Sequence, residues 1–205
     1  NFGSPGVTGS SAANEICLTA DLVIGVGTRF QDFTTGSWSL FQNPGRKLVS
    51  INMHPYDAQK HGAIPIVADA RATLEKLEAR IGGLRFSAAN PKARADWHET
   101  VRKVTAAPGD TNALPTDAQV VGAVQRTATE KTVAMCASGS MPGVLHTLWQ
   151  SSRGGYHMEY GYSCMGYEIA GAMGIKLAQP DRDVVCFIGD GSYMMANSEL
   201  ATAVM

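Results

Sequence analysis

The tightest constraint on what this chain can fold into is a run of five apolar residues that ends in a glycine-acid-glycine turn. Val184-Val185-Cys186-Phe187-Ile188 follows Gln179-Pro180-Asp181 and stops at Gly189. An unbroken apolar run of that length, bounded by turn residues, predicts a strand covered on both faces, as in a parallel sheet. It opens into Gly189-Asp190-Gly191-Ser192, and a helical pattern continues to Met205. Strand, turn and helix in that order put the turn at the carboxyl end of a strand, where open α/β sheets bind small ligands.

The turn has its own chemistry. Its glycines allow a sharp bend and a close approach to a ligand. The amides of Gly191, Ser192 and Tyr193 are expected at the positive end of the next helix, a setting that suits a phosphate. Asp190 between them would repel a bare phosphate, so the pattern predicts a cation between the two, and Mg²⁺ binds in this way through a carboxylate and ligand phosphates. Upstream, Gly166, Ala170, Gly171, Ala172 and Gly174 predict a helix over Gly161 to Gly174 with one face nearly free of side chains. Each interior glycine costs about 1 kcal/mol relative to alanine, so close packing or a ligand must account for them.

A second strand and turn stand beside the first. Thr132 to Ala137 is apolar and leads into Ser138-Gly139-Ser140, after which Pro142 is expected to open a helix carrying Leu145, Leu148 and Trp149. Thr116 reads as the N-cap of a preceding helix that runs to about Thr127. The N-terminal part repeats the αβ pattern. A helix is predicted around Ala12 to Thr19, a buried strand over Asp21 to Gly27, and strands over Lys47 to Asn52 and Ile64 to Ala68. An amphipathic helix over Ala70 to Ile81 follows, with Leu74, Leu77 and Ile81 on one face. Gly25-Val26-Gly27 lacks the third glycine of a dinucleotide fingerprint. Residues 84–115 are expected to be a linker with one helix, capped by Asn90, begun by Pro91 and anchored by Trp97 and Val101.

The composition leaves this reading room. The 205 residues suffice for two small cores, and 17 Lys and Arg against 18 Asp and Glu give a net charge of −1. That balance argues against a nucleic-acid or anionic-membrane partner. Cys17, Cys136, Cys164 and Cys186 have no metal-site or disulfide spacing, and His54, His61, His98 and His146 are scattered, so a reducing cytoplasm is expected. The chain lacks an initiating Met and stops within a helical pattern, as an internal fragment would.

The runs Tyr162-Ser163-Cys164-Met165-Gly166 and Gly189-Asp190-Gly191-Ser192, with a small-residue helix and a strand between them, resemble the diphosphate-binding domain of thiamine-diphosphate-dependent enzymes. Gly27-Thr28-Arg29 followed by Phe33-Thr34-Thr35-Gly36 is similar to part of that family's middle domain. The resemblance implies two pieces of doubly wound parallel sheet. Residues 1–83 would be the latter part of the middle domain, and 116–205 the first part of the cofactor domain. It also implies thiamine diphosphate and Mg²⁺ as cofactors. Ser138, Gly139, Ser140 and Met141 would hold the diphosphate together with Gly189, Gly191, Ser192 and Tyr193. Asp190 would be a metal ligand, and Met165 would lie under the two cofactor rings. The Ser163 carbonyl and the Met165 amide would pair with the aminopyrimidine edge. A second metal ligand, an Asn, is expected further downstream, with Asn197 read as a helix-surface residue. The glutamate that activates the ring belongs to another domain. Glu168 is accounted for by its place at a helix start.

Within the family, His157-Met158-Glu159-Tyr160-Gly161-Tyr162 is similar to members that hydrolytically open a cyclic polyhydroxylated 1,2-diketone in inositol breakdown. His157, Glu159 and Tyr162 are then candidates for contact with a small polyhydroxylated substrate. The resemblance further implies a homo-oligomer, a dimer or tetramer, since family sites form between subunits. An acetolactate-synthase-like carboligase and a non-catalytic family member are the alternatives.

Overall fold

The computed structural model describes residues 2–84, 90–110, 112–159 and 162–205. Tyr160 and Gly161 of the run above, and residues 85–89 and 111 of the expected linker, lie outside the described residues. The chain forms two compact units, residues 1–98 and 99–205.

In the first unit, α1 (Ser11–Thr19) begins at Ser10, whose Oγ accepts the Ala13 amide. Strands β1 (Leu22–Val26), β2 (Lys47–Asn52) and β3 (Ile64–Val67) form a parallel sheet in the order β1-β2-β3. Between them lie two short helices, α2 (Asp32–Thr35) and α3 (Pro55–Gln59), and α4 (Ala70–Ile81) follows. The β1 run does not become a strand buried on both faces. It is an edge strand, and Leu22, Ile24 and Val26 are exposed. The apolar face of α4 is only partly covered: Leu74 is exposed, Leu77 and Ile81 are half-buried, and no residue of that helix is fully buried. The core forms instead around Phe30, Leu48 and Ala63, with Val23 and Trp38 packed on it. Gly25 belongs to this packing, because a Cβ there would meet the Phe30 ring at 2.3 Å.

Helix α5 (Pro91–Val104) straddles the division between the units, with Asn90 Oδ1 accepting the Ala93 amide at its start and Val101 buried. Helix α6 (Asp117–Thr127) opens with a reciprocal cap. Thr116 accepts the Gln119 amide while the Gln119 side chain accepts that of Thr116.

The second sheet is β4 (Thr132–Cys136), β5 (Tyr156–Met158) and β6 (Asp183–Cys186), all parallel, in the order β5-β4-β6. The central position of β4 explains why all five of its residues are buried. β6 lies at an edge, so Val184, Val185 and Cys186 are only partly covered rather than enclosed on both faces. Helix α7 (Ser140–Leu148) starts two residues before Pro142, which still falls in the first turn, where no amide is needed. Helix α8 runs over Tyr167–Ala178, and α9 (Asp190–Ala196) and α10 (Glu199–Val204) follow β6. The helix expected to run unbroken to the last residue is therefore interrupted. Asn197 sits at the break, its carbonyl accepting the Leu200 amide.

One side chain ties the amino ends of all three strands of this sheet. Arg182 Nε donates to the Lys131 carbonyl at 3.1 Å, and its Nη1 and Nη2 donate to those of Gly154 at 2.9 Å and Glu130 at 3.3 Å. No helix among the described residues is long and apolar enough to cross a membrane.

Candidate functional site

Strand register brings the predicted loops to one edge of the second sheet. Cys136 stands opposite Met158 and Met135 opposite Cys186, and beyond these pairs Glu159 donates its amide to the Cys136 carbonyl and Phe187 to that of Met135. Because all three strands are parallel, residues 138–141, Glu159 and residues 189–193 leave the sheet side by side at its carboxyl end.

The loop after β4 fits an anionic ligand on two counts. Ser138 is 4% exposed, and its buried Oγ makes no hydrogen bond among the described residues. Leaving such a group unpaired costs roughly 1–3 kcal/mol, so a native structure needs a reason to keep it. Next to it, Gly139 has φ +99°, which disfavours any residue with a Cβ, and a Cβ there would meet no atom within 4 Å. An unpaired hydroxyl beside open space on the backbone is a fitting cradle for phosphate oxygens. Ser140 and Met141 are the first residues of α7, with Ser140 exposed.

The turn after β6 is built differently from expectation. Neither of its glycines has a positive φ; Gly189 caps α9 in an extended conformation and Gly191 is helical. Of the three amides expected to face an anion, that of Tyr193 closes the first helical turn on the Gly189 carbonyl at 2.9 Å. The Gly191 amide is held by Asp190 Oδ1 at 2.8 Å, leaving that of Ser192. Asp190 is exposed at the head of the helix. Among the described residues no three His, Cys, Asp or Glu side chains gather to hold a metal, so any cation at Asp190 would take further ligands from another group.

The two halves of the pattern meet at Met165. Its side chain is 47% exposed, and its Cε lies where a Cβ on Gly191 would approach to 3.3 Å. Gly166 is not part of the small-residue helix as predicted; it is the left-handed N-cap of α8, φ +90°, and a Cβ on it would meet Met195 Cβ of α9 at 3.3 Å. Ser163 is also left-handed, φ +53°.

The three substrate candidates fare unequally. His157 is partly buried, with Nε2 3.1 Å from the Tyr167 hydroxyl and its ring stacked on that tyrosine. Glu159 accepts the Tyr162 amide at 3.0 Å and the Cys164 amide at 2.9 Å, so its carboxylate shapes the loop. Tyr162 is 88% exposed.

Sequence reasoning missed Glu168. It is fully buried, and its carboxylate accepts the Ser138 amide at 3.2 Å and the Gly166 amide at 2.9 Å. A favourable helix dipole does not account for a side chain enclosed in this way. The available signal was an acid two residues after Gly166, at the start of a helix whose next seven residues carry no charge. Burial raises the thiols of Cys136, to about 12, and Cys186, to about 11, and the Glu168 charge adds to both.

Comparison with known proteins identifies the family. Residues 1–77 match the thiamine pyrophosphate enzyme central domain, and residues 137–205 match the C-terminal TPP binding domain of the same enzymes. The whole chain is 39% identical to a 3D-(3,5/4)-trihydroxycyclohexane-1,2-dione hydrolase of Clostridium perfringens, covering 36% of it. It is 40% identical to one of Geobacillus thermodenitrificans, covering 35%, and 38% identical to one of Bacillus cereus, covering 36%. The chain thus spans about a third of the length of the curated relatives it matches. With a central and a cofactor-binding domain match on its two αβ units, the chain belongs to the thiamine pyrophosphate enzyme family.

Proposed function

We propose that the protein is a thiamine-diphosphate- and magnesium-dependent hydrolase of inositol breakdown, converting trihydroxycyclohexane-1,2-dione to 5-deoxyglucuronate. The supporting observation is the meeting of the Ser138, Met165 and Asp190 loops at one sheet edge, with an unpaired buried hydroxyl beside Gly139. The names of the relatives supply the substrate class. In the overall reaction water is added across the bond between the two carbonyl carbons. One carbon becomes a carboxylate and the other takes a proton to become an aldehyde.

Thiamine diphosphate, when bound, supplies a carbon nucleophile that the side chains of a protein lack. The chain's own residues bind and orient. Ser138, Gly139, Ser140 and Met141 would receive the diphosphate, with Gly189 and the Ser192 amide on the facing turn. Asp190 would hold Mg²⁺ against it. Met165, exposed beside Gly191, would support the two rings, while the Ser163 carbonyl and the Met165 amide orient the aminopyrimidine. Tyr162, with its exposed ring, is the substrate contact this geometry favours, because His157 is already paired with Tyr167 and Glu159 with the loop amides. A cytoplasmic homo-oligomer with a small-molecule substrate completes the reading.

The complete polypeptide, incubated with the cyclic diketone, thiamine diphosphate and Mg²⁺, should release the ring-opened acid. Carbon–carbon joining with pyruvate, and no turnover of the diketone, would support the carboligase instead. Absence of both, with no response to the cofactor, would indicate a non-catalytic member.

A further inference from the structure

We infer that Glu168 and Glu159 act together as positioning residues that preset the cofactor loops, an inference that rests on the functional reading above. The two carboxylates flank the segment 162–166 and take its amides alternately. Glu159 accepts those of Tyr162 and Cys164, and Glu168 that of Gly166. The intervening amides of Ser163 and Met165 donate to no described residue. Alternation of this kind occupies the neighbouring amides and leaves the Met165 amide, one of the two groups assigned to the aminopyrimidine edge, as a donor for a ligand. The left-handed backbone at Ser163, φ +53°, is costly for a residue with a Cβ and is supported by the hydrogen bonds on either side of it, whereas Gly166, φ +90°, adopts that conformation freely.

Glu168 does more than shape its own loop. Its second oxygen accepts the Ser138 amide, 30 residues away in sequence, so a single buried side chain joins the diphosphate loop to the ring loop. No Lys, Arg or His pairs with it among the described residues; its partners there are backbone amides. Hydrogen bonds to a charged group are roughly twice as strong as neutral ones. A carboxylate accepts at both oxygens, whereas a glutamine can offer one acceptor and would set its NH₂ against the other amide. The two loops are therefore joined by a carboxylate whose paired acceptors a glutamine does not supply.

The test compares wild type with Glu168→Gln in the complete polypeptide. Thiamine diphosphate is titrated at saturating Mg²⁺, alongside amide hydrogen exchange without cofactor. The inference predicts at least a tenfold rise in Kd for thiamine diphosphate. It also predicts faster exchange at Ser138 and Gly166, with the β4 amides unchanged. Loss of stability alone would leave the Kd unmoved. Glu168→Gln binding within threefold of wild type, with unchanged exchange at both amides, overturns the inference and leaves the functional reading standing. A wild type that does not bind the cofactor overturns both. Should Glu168→Gln fail to fold, Glu159→Gln carries the test on the more open side of the loop, with faster exchange expected at Tyr162 and Cys164 and the same rise in Kd. Wild-type exchange and affinity in that variant would overturn the inference.

Discussion

Met165 packs against Gly191: a Cβ on the glycine would stand 3.3 Å from the methionine Cε, tighter than ordinary contact. The contact joins the loop after β5 to the turn after β6, the two places where the family resemblance is densest. Gly191 lies in the first turn of α9 without a positive φ, so alanine suits the backbone there. Gly191→Ala should leave the melting temperature of the cofactor-free protein unchanged or slightly higher. It should weaken thiamine diphosphate binding about tenfold, by displacing Met165. Thermal melts with and without cofactor check the split, and equal cofactor stabilisation in both proteins would contradict it.

The cysteines should divide sharply in reactivity. Cys164 is exposed, whereas burial pushes Cys136 up to about 12 and Cys186 up to about 11, and also raises Cys17. The thiolate is the reactive form, so at pH 8 the two strand cysteines are almost wholly protonated. Iodoacetamide followed by peptide mass mapping should label Cys164 first, and Cys136 and Cys186 only after denaturation. Early labelling of Cys136 would mean that β4 is not the closed centre of its sheet.

His146 gives a pH dependence of known sign. Burial lowers its pKa, and its Nδ1 lies 3.2 Å from the Tyr156 hydroxyl. A histidine that resists protonation when folded is protonated first in the unfolded chain as pH falls. Its contribution is therefore intact above about pH 6.5 and lost below it. The fall in melting temperature between pH 7.5 and 5.5 should be smaller in His146→Gln than in wild type. An equal fall would remove His146 as the cause.

Much of this architecture was legible in the residues. The apolar alternation and caps around β2, α4 and α6 predict those elements to within a residue, because each is specified by local signals: an N-cap, an i, i+3, i+4 pattern, a bounded apolar run. What escaped depends on neighbours distant in sequence. β5 is three residues long, Tyr156-His157-Met158, too short to show a period, and exists because β4 offers it a partner. β1 and β6 read as enclosed strands from composition, but burial on both faces is a property of sheet position, and both are edges. Gly166 reads as one small residue among several in a helix, whereas its φ of +90° makes it the helix entry, which depends on how the preceding loop arrives.

The candidate site was legible at its turns and not in its supports. Asp190, Ser138 and Met165 stand in motifs and so announce themselves. Glu168 shows its role only when the chain folds back over 30 residues to place it under Ser138. Glu159, read as a substrate contact from its polarity, spends its carboxylate on two amides within five residues of itself.

The central claim, that the three loops at the carboxyl edge of the second sheet hold a magnesium-bridged thiamine diphosphate, is tested most directly by titration calorimetry. Wild type and Asp190→Asn, as complete polypeptides, would be titrated with thiamine diphosphate in the presence and absence of Mg²⁺. The account predicts tight binding by wild type with Mg²⁺, little without it, and at least a hundredfold loss of affinity in Asp190→Asn. Binding by the variant equal to wild type, or no magnesium dependence in wild type, would contradict it.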